Sequence, residues 1–388
     1  MKKLCLLVVS LLTLLSACSD LQPVPDAAAA ATIPGQYIVV LDPPGVSTQS
    51  VQDFDLSVSR VATDLGVQAT LPLRVINGFL AKNVDSADLR RLQSDARVDY
   101  VEQDQLMRAS ATQTNATWGL DRIDQRNRPL NGSYTYNTTA SSVTAYIIDT
   151  GILSGHQEFG GRVTGGVTAI NDGRGSSDCN GHGTHVAGTV GGRTYGVAKG
   201  VKLFAVRVLD CAGSGSNSGV IAGVDWVTYN HTKPAVANMS LGGGASQALD
   251  DAVRNSIGAG VTYAVAAGNE NQNACNVSPA RVSSALTVGA TTRTDSRASF
   301  SNYGSCVDLF APGQDITSAW YSSSSSTRTI SGTSMASPHV AGAAALYLQS
   351  NQGASPSTVA SNLNGTATTG VVTGTNGSPN RLLYKGTR

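Results

Sequence analysis

Charge is scarce in this chain. Of its 388 residues only 14% are Asp, Glu, Lys or Arg, and the formal net charge is +1. It holds no basic run and no RNA-binding motif, so nucleic acid and acidic surfaces are not expected as partners. Past residue 15 no apolar stretch is long enough to span a bilayer. There is no C-x-x-C pair, no H-E-x-x-H and no G-x-S-x-G. Zinc sites, thermolysin-type metalloenzymes and nucleophile-elbow hydrolases therefore lack their signatures. Glutamate is nearly absent after residue 110. What the chain has instead is Gly, Ser, Ala and Thr, with enough length for two or three domains and one full hydrophobic core.

The charge is unevenly divided. Residues 1–110 carry 9 Lys+Arg against 12 Asp+Glu, and residues 111–388 carry 18 against 14. Opposite signs modestly favour docking of the first part on the second. Lys2 and Lys3 precede an apolar run over 4–15, which reads as an export signal, too short for a mature membrane helix. Leu15-Ser16-Ala17-Cys18 has the form of a lipoprotein box, in which the cysteine becomes the lipid-bearing first residue; an ordinary signal peptide, cut there or within 27–31, is the other reading. Apart from Cys5 and Cys18, four cysteines remain: Cys179, Cys211, Cys275 and Cys306. An even number in an exported chain suggests two disulfides, with three pairings open.

Residues 33–107 have the pattern of a small α+β domain. Strands are expected over 36–41, 77–82 and 98–102, with a turn at 42–45 and helical spacing over 54–65 and, after a serine cap, 86–93. The stretch 108–117 has no periodicity and reads as an exposed, cleavable linker. Beyond residue 118 short apolar runs recur, over 143–149, 202–209, 235–241, 261–268, 285–290 and 307–310. Amphipathic segments over 218–229, 247–257 and 334–349 lie between several of them. Unbroken apolar strands alternating with helices predict an α/β fold, a buried parallel sheet with helices on both faces. Sites in such sheets gather at the carboxyl ends of the strands.

Three segments put polar residues there. Asp149 closes an apolar run and precedes Thr150-Gly151, where it could support a catalytic base or simply cap the strand. In Asn180-Gly181-His182-Gly183-Thr184-His185, His182 stands among glycines at the start of a small-residue helix, open to close approach. Two histidines at i, i+3 invite a metal, but the accompanying glutamate is missing and His185 reads as packed within the helix. In Ser331-Gly332-Thr333-Ser334-Met335-Ala336-Ser337-Pro338-His339, Ser334 opens a long helix of small residues. Helix N–H groups there favour developing negative charge, although a plain N-cap would use the same residue.

Together these segments resemble the subtilisin-like serine proteases, most closely the proteinase K-like branch that includes aqualysin. The match runs from Trp118 to about Leu383, with D-T-G, H-G-T-H-V-A-G and G-T-S-M-A-S-P-H in the family's order. The resemblance implies that Ser334 is the nucleophile, His182 its general base and Asp149 the carboxylate that orients the imidazole. It implies Asn269 as oxyanion donor beside the Ser334 N–H. It further implies substrate held as an added strand between the segments containing Gly213, Ser214 and Gly215 and those containing Ser240, Leu241 and Gly242, whose glycines would leave backbone N–H and C=O groups free to pair with it. The P1 pocket would be walled by 241–243 and 266–268, including Ala266 and Gly268. These walls carry no charge, so bulky apolar or aromatic P1 residues are expected.

The same resemblance implies the pairs Cys179–Cys211 and Cys275–Cys306, structural calcium and no organic cofactor. One calcium site would use Asp308 with the carbonyls of Ser283 and Ala285; another Asp121, Asp124, Gln125 and Asn131, though a solvated acidic turn would look the same. Asp172 and Asp178 are a weaker third pair. The chain then divides into a signal segment (1–31), an inhibitory propeptide (33–110) and a subtilisin-like peptidase domain (111–388), with cleavage near Ser110–Ala111. The implied product is a secreted, monomeric serine endopeptidase made as a self-processing zymogen. Its partners would be polypeptide substrates and its own propeptide, with a membrane reached only through an N-terminal lipid on the precursor. A catalytically dead surface module of the same fold is the alternative; it would need a broken constellation, and none is broken.

Overall fold

The computed structural model describes residues 32–42, 50–105 and 110–386. The expected export signal, Cys18 and most of the expected 42–45 turn lie outside them. The chain divides into two units, Met1–Met107 and Arg108–Arg388.

The first unit is an antiparallel sheet in the spatial order Gln68–Leu73, Gly78–Lys82, Thr32–Leu41, Val98–Gln105, with helices Val51–Asp64 and Ser86–Ser94. Val39, Leu41, Phe79 and Ala81 from the strands meet Phe54, Val58 and Leu92 from the helices in its core. The second helix starts on an aspartate rather than a serine: Asp85 accepts from the backbone N–H of Ala87 and Asp88, and Asp88 returns the contact to the Asp85 N–H. Strand Gln68–Leu73 was not expected, because Pro72 and its half-exposed residues break any alternation; it is an edge strand, where proline is tolerated.

The second unit is built on nine strands in the order Thr368–Thr369, Arg381–Leu382, Leu309–Pro312, Leu286–Thr291, Thr262–Ala266, Ala235–Met239, Thr144–Asp149, Lys202–Arg207, Val163–Thr168. All pairs are parallel except the first. The apolar runs are unbroken because both faces are covered. Ala145 and Ile147 pack with Val186 and Val190 of helix His182–Gly191 and with Ala336 and Val340 of helix Thr333–Ser350. Tyr146 and Ile148 point the other way, to Val220 and Val224 of helix Asn217–Asn230 and Leu249 and Val253 of helix Gln247–Gly258. The period of two in one strand thus feeds two separate cores.

The expected linker holds more structure than its sequence suggests. Ala111–Thr114 is a strand paired antiparallel with Ser133–Tyr136, and Gln113 Nε2 donates to the Thr194 carbonyl at 3.1 Å. Its polar residues give no apolar alternation; backbone pairing and the side-chain bonds of Gln113 and of Thr112, whose hydroxyl meets that of Thr135 at 3.1 Å, hold it. Cys179 is bonded to Cys211 and Cys275 to Cys306. No helix among the described residues is long and apolar enough to cross a membrane.

Candidate active site

Asp149 is the last residue of the strand Thr144–Asp149 and is fully buried. Its Oδ1 accepts from the Thr150 N–H at 2.7 Å and lies 2.8 Å from His182 Nδ1. The Asp149 side chain is 0% exposed and that of His182 25%, so the imidazole can be reached while the carboxylate cannot.

His182 opens the helix His182–Gly191, and the turn that delivers it needs glycine. Gly181 has φ +108°, and a Cβ there would meet the Trp320 ring at 2.5 Å. Gly183 lies so close to the strand end that a Cβ would meet the Gly151 carbonyl oxygen at 2.2 Å. Asp178 braces this turn: its carboxylate accepts from the backbone N–H of Asn180, Gly181 and Thr184 and from the hydroxyls of Thr150 and Thr184. Both oxygens are thereby used, and Asp172 is paired with Arg207 at 2.6 Å, so neither member of the weaker third calcium pair is set aside for an ion. His185 is buried, with Nε2 3.0 Å from the Ile316 carbonyl oxygen and its pKa pushed down to about 3, chiefly by burial. It packs in the helix and takes no part in the site.

Ser334 is the second residue of helix Thr333–Ser350. Its hydroxyl donates to the Ser240 carbonyl oxygen at 3.1 Å, and no hydrogen bond joins it to His182 among the described residues. A hydrogen bond between these two side chains would require the Ser334 hydroxyl to turn from Ser240 towards the imidazole; such contacts commonly tighten only when substrate is bound. Asn269 follows the strand Thr262–Ala266. Its Oδ1 accepts from the Thr333 N–H at 2.8 Å and the Thr333 hydroxyl at 3.0 Å, which leaves the amide nitrogen facing away. Thr333 is held in turn by the Gly268 N–H at 3.1 Å. A Cβ placed on Gly332 would stand 3.7 Å from Asn269 Nδ2 and 3.6 Å from the Ser334 nitrogen. Two donors therefore converge beside a position that has no side chain.

Two cavities meet at Leu241, Gly242 and Gly243. One, of about 370 Å³, is lined also by Ala266, Gly268, Asn269 and Ser334. The other, of about 510 Å³, runs from His182 and Ser240 along Gly213, Ser214 and Gly215. Two expectations need correction here. The first cavity is not free of charge, because the turn after Asn269 brings Glu270 into its lining. Nor are the backbone groups at 213–214 all free: Asp210 receives the N–H of both Gly213 and Ser214 and donates its own to the Ser214 carbonyl. A short turn satisfies itself with its own aspartate.

The expected cation ligands fall into two groups. Asp308 is half-buried, accepts one hydrogen bond from the Thr287 N–H at 2.8 Å, and is pushed up to about 6, chiefly by desolvation. Ser283 and Ala285 lie in the turn just before the strand Leu286–Thr291. In the other group Asp121 accepts from the N–H of Asn131 and Gly132, while Asn131 Oδ1 accepts from Ser133. Gln125 donates to the Pro129 carbonyl at 2.9 Å. Asp124 is also pushed up to about 6 by burial, and its Oδ1 is buried with no partner among the described residues.

The fold and this arrangement define a serine proteinase scaffold, and comparison with known proteins identifies it. The chain belongs to the subtilase family, whose model matches residues 140–383. It is 60% identical over 367 residues to an extracellular serine proteinase of Thermus sp. (strain Rt41A), covering 94% of this chain and 87% of that protein. It is 54% identical over 363 residues to alkaline serine exoprotease A of Vibrio alginolyticus, covering 91% of this chain and 67% of that protein. A crystal structure of a cold-adapted subtilisin-like serine proteinase matches with a TM-score of 0.69 and 60% identity, over 70% of this chain and 99% of that one.

Burial opposes a charge on His182, but Asp149, by its charge and its hydrogen bond, and Asp178 outweigh it and raise the imidazole pKa. Only the neutral imidazole can accept a proton, so kcat/KM should rise with pH through a midpoint above the ordinary value of about 6.5. In Asp149→Asn the midpoint should move down and kcat fall roughly 10⁴-fold. A pH–rate profile of both proteins checks this; an unmoved midpoint would count against the assignment.

Proposed function

We propose that the chain is a secreted serine endopeptidase, made as a self-processing precursor, with Asp149, His182 and Ser334 as its catalytic residues. The observation that carries this reading is the 2.8 Å contact between Asp149 and His182 at the strand ends, across one continuous groove from Ser334 and Asn269. In this mechanism Ser334 Oγ leaves the Ser240 carbonyl and attacks the scissile carbonyl carbon. His182 takes the hydroxyl proton and later gives it to the leaving amine, while Asp149 stabilises the imidazolium. Negative charge on the carbonyl oxygen is met by the Asn269 amide and the Ser334 N–H. The extracellular names of the relatives support export, and the 33–110 segment is assigned as the inhibitory propeptide, removed near Ser110–Ala111. Replacing Ser334 by Ala should abolish proteolysis and fluorophosphonate labelling and leave the precursor uncut at that bond. Asn269→Ala should lower kcat by about 10²–10³ with little change in KM, a magnitude taken over from subtilisin. Hydrolysis by the Ser334→Ala protein would end this reading.

Glu270 refines the substrate preference. Bulky apolar P1 side chains fit the walls of Leu241, Gly242 and Ala266, and a P1 lysine can reach the carboxylate. Glu270→Gln should lower kcat/KM several-fold for P1 Lys, the worth of one exposed ion pair, and leave P1 Phe unchanged. Matched peptide substrates decide it; equal losses on both would remove Glu270 from this role.

Calcium fits the two groups of oxygen ligands because each contains a half-buried carboxylate with a single protein donor, Asp124 in one and Asp308 in the other. Asp308 with the Ser283 and Ala285 carbonyls, and Asp121, Asp124, Gln125 and Asn131, are the residues that would hold it. A bound ion would supply no chemistry to the reaction, only the charge these carboxylates lack. A site occupied at a hundredfold excess over Kd adds about 2.7 kcal/mol to stability. Calorimetry with chelator and with calcium should show a lower Tm without the ion. Asp308→Asn should be no less stable than the parent in chelator, yet less stable in calcium. A Tm indifferent to calcium would refute the sites.

A further inference from the structure

Strand Ala235–Met239 carries one polar residue in an apolar run, Asn238, and it is buried. A buried carboxamide must find partners, and Asn238 finds two that lead to the nucleophile. Its Oδ1 accepts from the Ser337 hydroxyl at 2.8 Å, and its Nδ2 donates to Ser240 Oγ at 2.8 Å. Ser240 Oγ, its lone pair thus engaged, directs its one proton to the Ser334 carbonyl oxygen at 2.8 Å. That carbonyl is short of a partner for a reason visible in the sequence. Its helical donor would be residue 338, which is Pro338 and has no N–H. The Ser334 hydroxyl donates back to the Ser240 carbonyl at 3.1 Å, so Ser334 and Ser240 are tied twice. Ser337, three residues along the helix, closes the ring through Asn238.

We propose that Asn238, with Ser337, is a positioning residue for the reaction: it orients Ser240 so that this residue locks the helix turn bearing Ser334 against the wall of the substrate cleft. The inference rests on Ser334 being the nucleophile. The ring joins the two main-chain pieces whose spacing sets the attack geometry, the Ser240–Gly242 wall and the start of helix Thr333–Ser350. Without Asn238, Ser240 Oγ loses its donor and turns freely, and the Ser334 carbonyl loses its substitute for the missing amide. The Asn238 side chain touches the Ser240 hydroxyl but bonds to none of the main-chain binding groups of 240–242 and 213–215. Misplacement of a nucleophile by a fraction of an ångström acts on kcat rather than on substrate affinity, and 1 Å costs about a hundredfold.

The test uses the matured enzyme and counts only active molecules by stoichiometric titration with an irreversible inhibitor. Asn238→Leu should lower kcat about tenfold or more with KM within about twofold, and slow fluorophosphonate labelling by the same factor. Ser337→Ala should act in the same direction, by about threefold. Should Asn238→Leu fail to fold, Ser337→Ala, which deletes one hydroxyl, decides alone. Unchanged kcat in the titrated variants, with or without a fall in Tm, would overturn the proposal, as would a change confined to KM. A Ser334→Ala control that still cleaves protein would instead overturn the underlying reading, whatever the relay variants do.

Discussion

Placing the Asp149 carboxylate where water cannot reach it is the constraint on which the site depends. A buried charge is costly unless a counter-charge or strong donors meet it. Asp149 has the Thr150 N–H and the His182 imidazole, and both are supplied by the chain directly around the strand end. The parallel sheet makes this affordable: its strands end in one plane, and the segments leaving them can be short and glycine-rich. The same burial that makes Asp149 expensive alone makes it effective beside His182. Its field acts through little water, and in the proposed reaction it would stabilise the imidazolium as a proton is taken from Ser334.

The turn that brings His182 to Asp149 is held by a second acid. Asp178 accepts five hydrogen bonds, three of them from backbone N–H groups of 180–184, and so sets the path of the chain into the helix. Cys179 lies within this turn and is bonded to Cys211, whose carbonyl accepts from Asn180. The base and the edge of the substrate groove are thereby one piece of structure. On the nucleophile side Thr333 performs the corresponding task, fixing Asn269 through its oxygen so that the nitrogen faces outward. The sequence shows the chemical groups but not these two braces. In the pattern of letters Asp178 stands out only as a possible cation ligand and Thr333 only as part of a motif, since a brace is defined by what surrounds it.

Much of the fold was legible because periodicity carries it. Apolar runs such as 143–149 and 202–209 had to be strands covered on both sides, and the split of Ala145 and Ile147 from Tyr146 and Ile148 is the physical content of that pattern. Motif residues lie at strand and helix ends, where glycines around His182 and small residues after Ser334 were visible as a list of letters. What was illegible depends on local backbone geometry. Strand Ala111–Thr114 has no apolar signature, the Asp210 turn consumes N–H groups that seemed available for substrate, and Glu270 reaches the pocket only through a turn. The resting hydroxyl of Ser334 points to Ser240, a torsional choice of one side chain that no pattern encodes.

The acids also separate by how fully the protein satisfies them, and this gives the cation question a physical answer. Asp178 is buried and saturated with donors, and Asp172 faces the Arg207 guanidinium, which holds its carboxyl down at about 2. An ion at either would have to displace bonds already made. Asp124 and Asp308 are the opposite case: each is half-buried, each takes one backbone N–H, and each is raised to about 6 because desolvation outweighs that donor and the nearby Lys385 or Arg381. A carboxylate in that condition is ionised at neutral pH at a cost, and the shortfall is one of positive charge. Oxygen ligands close in the chain, Asn131 and Gln125 in one case and the carbonyls of the turn at 283–285 in the other, are what a hard divalent cation uses. The acids beside His182 are thus met mainly by donors of the chain itself, while Asp124 and Asp308 have one donor each and are where we propose that calcium binds.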